Sequence, residues 1–223
     1  MPRLQRYAGS IPVVSTSHYT VHIGPERKTV KAMSAKILKL NAAGRPISWI
    51  TREAGALLYC RDQVAWEAGI SFVRLHGGVS RVTGRRSVLF VSTIIATRGG
   101  AHEYDLLRDV PPLKNKNLFR RDAHMCLYCG DYLYDCELTR DHVVPVSRGG
   151  TDTWENVVTA CRVCNHRKAD LLIEEAGMPL LAVPYAPNRA EGLILGNRHI
   201  LGDQMEFLRA YAGDRAKRLS NYR

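Results

Sequence analysis

Residues 137–170 read ELTRDHVVPVSRGGTDTWENVVTACRVCNHRKAD, and the order of patterns in this stretch decides what the rest of the chain has to support. LTRDHVVPV (138–146) is a strand pattern, so the adjacent Asp141 and His142 point to opposite faces unless the backbone bends there. Ser147-Arg148-Gly149-Gly150 is a loop. TWENVVTAC (153–161) reads as a second strand, the hairpin partner of the first, and carries Asn156. A helix starting near Cys164 delivers Asn165 and Lys168 and runs on until Gly177 stops it. Strand, loop, strand and helix make a ββα unit in which Asp141, His142, Asn156 and Asn165 are able to converge.

Two cysteine pairs bracket that unit: Cys126 and Cys129 in CLYCG, and Cys161 and Cys164 in CRVCN. Each tight turn presents both of its sulfurs, and two such knuckles supply four thiolates to one tetrahedral zinc. The chain starts MPRLQRYAGSIPVV, which lacks the apolar segment of a secretory signal. A cytoplasmic, reducing location is therefore expected, where zinc is a better explanation of the cysteines than disulfides. Cys60 and Cys136 are left over. Cys136 lies between the knuckles and could replace a ligand, but it has no partner at the matching spacing.

The chain has 223 residues, 45% hydrophobic and 24% charged, which excludes a predominantly disordered protein. Its apolar runs are strand-sized, well short of the roughly 18 residues that a membrane helix needs. Net charge is +11 and favours polyanions. Residues 1–110 carry 16 basic and 7 acidic residues, against 16 and 14 in 111–223, so the excess lies in the front half. If a polyanion is bound, the front half is expected to grip it while another part does the chemistry.

The expected fold class is α+β. Residues 1–110 read as a basic, strand-rich module for DNA binding or specificity. AKILKL (35–40) is a strand, Thr51 caps a short helix, Val64 and Trp66 lie on a half-buried strand, and a break falls at Gly77-Gly78. A hairpin turn is expected around Gly84, where Arg85 and Arg86 are exposed turn residues or groove contacts. RDVPPLKNKN (108–117) marks a boundary. Residues 111–180 hold a lead-in helix, LFRRDAHM, and the zinc-stapled unit. Residues 181–223 form an extension, loop-like through 202, then an amphipathic helix from Asp203 that is weakened by Gly213.

The DH pair, the RGG loop, WENVV and CxxCNHRK together resemble the HNH, or ββα-metal, endonucleases over about residues 115–180. The order His142, Asn156, Asn165 resembles the HNN variant of that pattern. Stand-alone bacterial members also have a strand-rich front segment similar to KILKLNAAGRPISWITREA. The resemblance implies a metal-dependent hydrolase of phosphodiester bonds. His142 is expected as general base, because an imidazole accepts a proton near neutral pH. Asp141 is expected as a hard oxygen ligand for one divalent cation, magnesium above all. By the resemblance, Asn165 supplies a second ligand through its amide oxygen. Asn156 matches the family's middle asparagine, which holds the loop and orients the imidazole. Lys168, Arg148 and Arg167 are expected on phosphate.

The resemblance further implies DNA as substrate, mostly double-stranded, with homodimerisation as one route to cutting both strands. Bland readings stand beside these. Asn165 would also serve as a helix cap and Asn156 as a turn residue. His166 is the ligand if the helix register differs by one, and His124 is structural or exposed. Trp154, Val157 and Val158 read as core. A zinc-knuckle protein that binds nucleic acid without cutting it is the non-enzymatic alternative.

Overall fold

A computed structural model describes residues 28–29, 36–98 and 110–213. The start of the chain and the basic positions Arg215, Lys217 and Arg218 of the expected C-terminal helix lie outside the described residues. The fold is mixed α+β, as expected. A five-stranded sheet comprises β1 (Lys28–Thr29), β2 (Ile37–Leu40), β3 (Pro46–Ile50), β4 (Val64–Val79) and β5 (Arg86–Thr97), in the order β1-β4-β5-β2-β3. β2 pairs with β5 in parallel, while β2–β3 and β4–β5 are antiparallel.

Both faces of this sheet are covered. On one face Ile37, Val91 and Ile95 pack with Ala56 and Tyr59 of helix α1 (Arg52–Cys60). Thr51 starts that helix, its hydroxyl accepting from Ala54 N at 3.2 Å. On the other face Leu38, Leu40, Ile94 and Ala96 meet Ala190, Ile194 and Leu195 of helix α4 (Arg189–Gly196) and Leu208 and Ala212 of helix α5 (Gly202–Ala212). Two-sided burial explains why SVLFVSTIIAT shows no clean alternation. Each fully buried Leu or Ile here contributes roughly 1.5–3 kcal/mol.

The second unit contains α2 (Asn115–Arg121), the antiparallel pair β6 (Leu138–His142) and β7 (Val157–Cys161), and α3 (Arg162–Lys168). Leu118, Phe119, Leu138, Trp154 and Val157 form its core. A buried ion pair, Arg121 with Asp122 at 2.7 Å, ties it together. The Arg121 guanidinium also donates to the carbonyls of Trp154, Val157 and Tyr185, and Asp122 accepts from Thr159 N. The two units are joined through buried Arg120, which donates to Leu195 O of α4, the helix that Trp49 of β3 ties to the sheet by donating from Nε1 to Leu193 O at 2.9 Å.

Several boundaries differ from the sequence reading. β4 continues past Gly77-Gly78 to Val79, its register with β5 shifting between His76 and Val79, where a Cβ at Gly77 would lie 2.2 Å from Ser87 Oγ. Helix α3 ends at Lys168 rather than at Gly177, since Ala169 turns to φ 50°. The lead-in helix lies earlier than LFRRDAHM, and both Ala123 and His124 have positive φ. The stretch read as loop through 202 contains α4. No helix among the described residues is long and apolar enough to cross a membrane.

Candidate active site and metal centre

The four cysteines of the two knuckles come together, with all four Sγ atoms within 4.8 Å of one another. A tetrahedral zinc with Zn–S of about 2.3 Å sets its sulfurs about 3.8 Å apart, so the cluster fits that ion. The first knuckle turns through Gly130 at φ 84°, and Gly130 N donates to Cys126 O. The second caps α3, Cys161 Sγ accepting from Cys164 N at 3.3 Å. Burial pushes the Cys129 thiol up to about 11 and Cys164 higher still. At Cys126 burial acts the same way, but backbone donors from Cys129, Cys161 and Tyr128 outweigh it and lower the thiol. Cys60 and Cys136 stand exposed, outside the cluster.

The β6–β7 register pairs Asp141 with Val158 and His142 with Val157. Alternation along β6 then divides the candidate residues between two faces. Thr139 and Asp141 face α3. There Asn165 Nδ2 donates to Thr139 Oγ1 at 2.9 Å, which leaves its carbonyl oxygen as the atom for a hard cation. Asp141 is 5% exposed; the Tyr128 hydroxyl donates to Oδ2, and the Lys168 ammonium lies 3.3 Å away. Burial first, then the Asp141 carboxylate, pushes the Tyr128 phenol far up, so it stays a donor.

Arg140 and His142 occupy the opposite face. His142 Nε2 lies 3.0 Å from Asp152 Oδ1, and Arg140 Nη1 grips both oxygens of the same carboxylate at 2.7 Å. Arg140 is itself held by Asn115 Oδ1 at 2.9 Å. The Arg140 guanidinium, ahead of the imidazole, keeps the Asp152 carboxyl below its ordinary value although partial burial opposes this.

Asn156 sits just before β7 and closes the loop between the strands. Its Oδ1 accepts from Val144 N at 2.9 Å, and its Nδ2 donates to Val144 O at 3.0 Å and Thr151 O at 2.9 Å. Gly150 makes this closure fit, since a Cβ there would lie 1.8 Å from Val144 O.

The structure thus brings Asp141 and Asn165 to one face and sets His142 on the other, one residue away along the strand. Lys168, expected on phosphate, is fully buried, its ammonium donating to Asp141 and, at 2.7 Å, to His142 O. Arg148 pairs with Glu175 at 2.7 Å on the surface. Arg167 and His166 lie with Arg162 and Val163 along the exposed side of α3, away from Asp141. His124 pairs with Asp135 at 2.7 Å. Sequence reasoning missed Tyr128, Arg140 and Asp152. Arg140 could have been found from alternation alone, because it shares the face of His142. Nothing in the sequence links Asp152 or Tyr128 to their partners.

This combination of a tetrathiolate cluster, a two-stranded hairpin and a helix has a counterpart among known families. Residues 126–181 match the family model described as HNH endonuclease, from the first knuckle through α3 to just beyond it. No curated protein matches the chain. The matched segment stops short of the five-stranded sheet. Residues 126–181 are thus similar to the HNH endonucleases, a family of nucleases, and nucleic acid is the substrate class that this likeness implies.

Proposed function

We propose that the protein is an endonuclease that hydrolyses phosphodiester bonds in double-stranded DNA in the cytoplasm, with His142 as general base. The observation that carries the reading is the array Asn115, Arg140, Asp152 and His142. With Nε2–H donated to Asp152, Nδ1 becomes the basic nitrogen, fixed in direction and able to take the proton of an attacking water. A structural zinc on Cys126, Cys129, Cys161 and Cys164 holds both ends of the hairpin and the start of α3.

The donors on the other face, one carboxylate and one amide oxygen, suit magnesium, which takes few protein ligands and keeps several waters. Asp141 and Asn165 would hold it, and when bound it would neutralise charge on the phosphate and the leaving oxygen. Asp141 and His142 are the last two residues of β6, so a phosphate seated across the strand end would meet one side chain on each face. Asn156 keeps the loop that carries Asp152 closed and so acts as a positioning residue. Arg148 and Arg167, on the exposed surface, steer the phosphate backbone. One such site cuts one strand, so a double-strand break calls for a homodimer.

Lys168 supports a second reading, a nucleic-acid-binding protein without cleavage, because its ammonium sits against the oxygens that a cation would use. Nicking of supercoiled plasmid with magnesium separates the two. The wild type should cut, and His142→Ala should not, while still binding duplex DNA. Cleavage by His142→Ala at the wild-type rate removes His142 as the base.

A further inference from the structure

We propose that the outer half of the β4–β5 hairpin, residues 74–90, is a DNA arm that enters the major groove of a duplex. This rests on the reading of the protein as a DNA endonuclease and extends it to the grip on substrate. The charge is one-sided: residues 70–98 contain no Asp or Glu and carry Arg74, Arg81, Arg85, Arg86 and Arg98. Positions 76–87 are exposed throughout, whereas 91–97 are buried in the sheet. β1 pairs with β4 only at Ser71 and Phe72, so among the described strands the outer ribbon has two members. The side chains of Arg74, Arg81 and Arg85 make no ion pair or hydrogen bond among the described residues.

The tip is nonetheless ordered. Ser80 Oγ accepts from Val82 N and Thr83 N at 3.3 and 3.2 Å, Ser80 N donates to Arg85 O, and Gly84 turns at φ 66°. Arg86 Nε donates to Gly77 O at 3.1 Å and locks the shaft below it. Gly77 and Gly78 keep the ribbon thin. Beyond Leu75 and Leu89, the last pair packed on the core, the ribbon projects about 10 Å from His76 to Val79 at roughly 3.3 Å per residue. A major groove about 12 Å wide and 8.5 Å deep admits a two-stranded β-ribbon. Val82, 94% exposed at the tip, supplies the apolar contact that a thymine methyl takes.

The test is Arg81→Gln/Arg85→Gln, which spares the Arg86 hydrogen bond and changes only exposed side chains. Binding to a labelled duplex of about two helical turns is followed by anisotropy across a salt series. If each arginine meets one phosphate, the slope of log K against log salt falls by about 1.8. Duplex affinity then drops tens-fold near 0.1 M salt, while affinity for the single strand stays within about twofold of wild type. Unchanged duplex affinity overturns the arm. Equal losses on duplex and single strand overturn groove entry. Failure of the nuclease reading shows elsewhere, as a wild-type protein that binds duplex but never nicks plasmid with magnesium.

Discussion

Replacing Asn156 with alanine removes three hydrogen bonds at once, those with Val144 N, Val144 O and Thr151 O. Each is worth about 0.5–1.5 kcal/mol net. Asn156 is half-buried, so water partly replaces the lost partners, and a loss of roughly 1.5–3 kcal/mol is expected. For a chain of this size that corresponds to a fall in Tm of roughly 3–12 °C. The larger effect is on rate. The freed loop carries Asp152, and displacing a catalytic group by about 1 Å can cost on the order of a hundredfold. Plasmid cleavage under single-turnover conditions should slow by roughly ten- to a hundredfold, with duplex affinity near wild type. Asn156→Asp should do no better, because it keeps the bond from Val144 N but sets a carboxylate against two carbonyls. A variant that melts with the wild type, or melts lower yet cuts at full speed, refutes the link from Asn156 through the loop to His142.

Two further outcomes are expected. Lys168→Met leaves the Asp141 carboxylate buried without its cation, and breaking a buried pair in this way costs about 3–5 kcal/mol, read as a lower urea midpoint; an unchanged midpoint would show that the pair contributes no net stability. Elemental analysis should find one tightly held zinc per chain, and stripping it with a chelator should lower Tm and open residues 126–168 to protease; a metal-free protein of full stability would contradict the zinc assignment.

The parts of this molecule that sequence makes legible are those whose partners are fixed by spacing. Two CxxC turns can only present paired sulfurs, so the cluster follows from the residues themselves, and the hairpin and helix between them follow from local pattern. The face division at Asp141 and His142 is likewise a local matter of strand alternation. What escapes is pairing at a distance. Asp152 reads as an anonymous loop acid until the closed loop sets it against His142 and Arg140. Lys168 looks like a surface helix lysine until the turn at Ala169 and the packing of α3 on β6 bury it. Helix α4 had a local signal after all: Asn188 and Glu191 form a capping box, which Gly192 and Gly196 obscured in a segment of eight residues. The parallel pairing of β2 with β5 joins segments separated by β3, α1 and β4, and no local pattern encodes it.

The sheet of the front half is roofed by helices that follow the entire second unit in the chain. Until residue 212 has been synthesised, Leu38, Leu40, Ile94 and Ala96 face water, so the first half cannot mature as an independent unit during translation. A library of C-terminal truncations should therefore yield insoluble polypeptide rather than a trimmed sheet, even where every cysteine is retained. Fusion partners or affinity tags are better tolerated as flexible additions beyond α5 than as replacements for it.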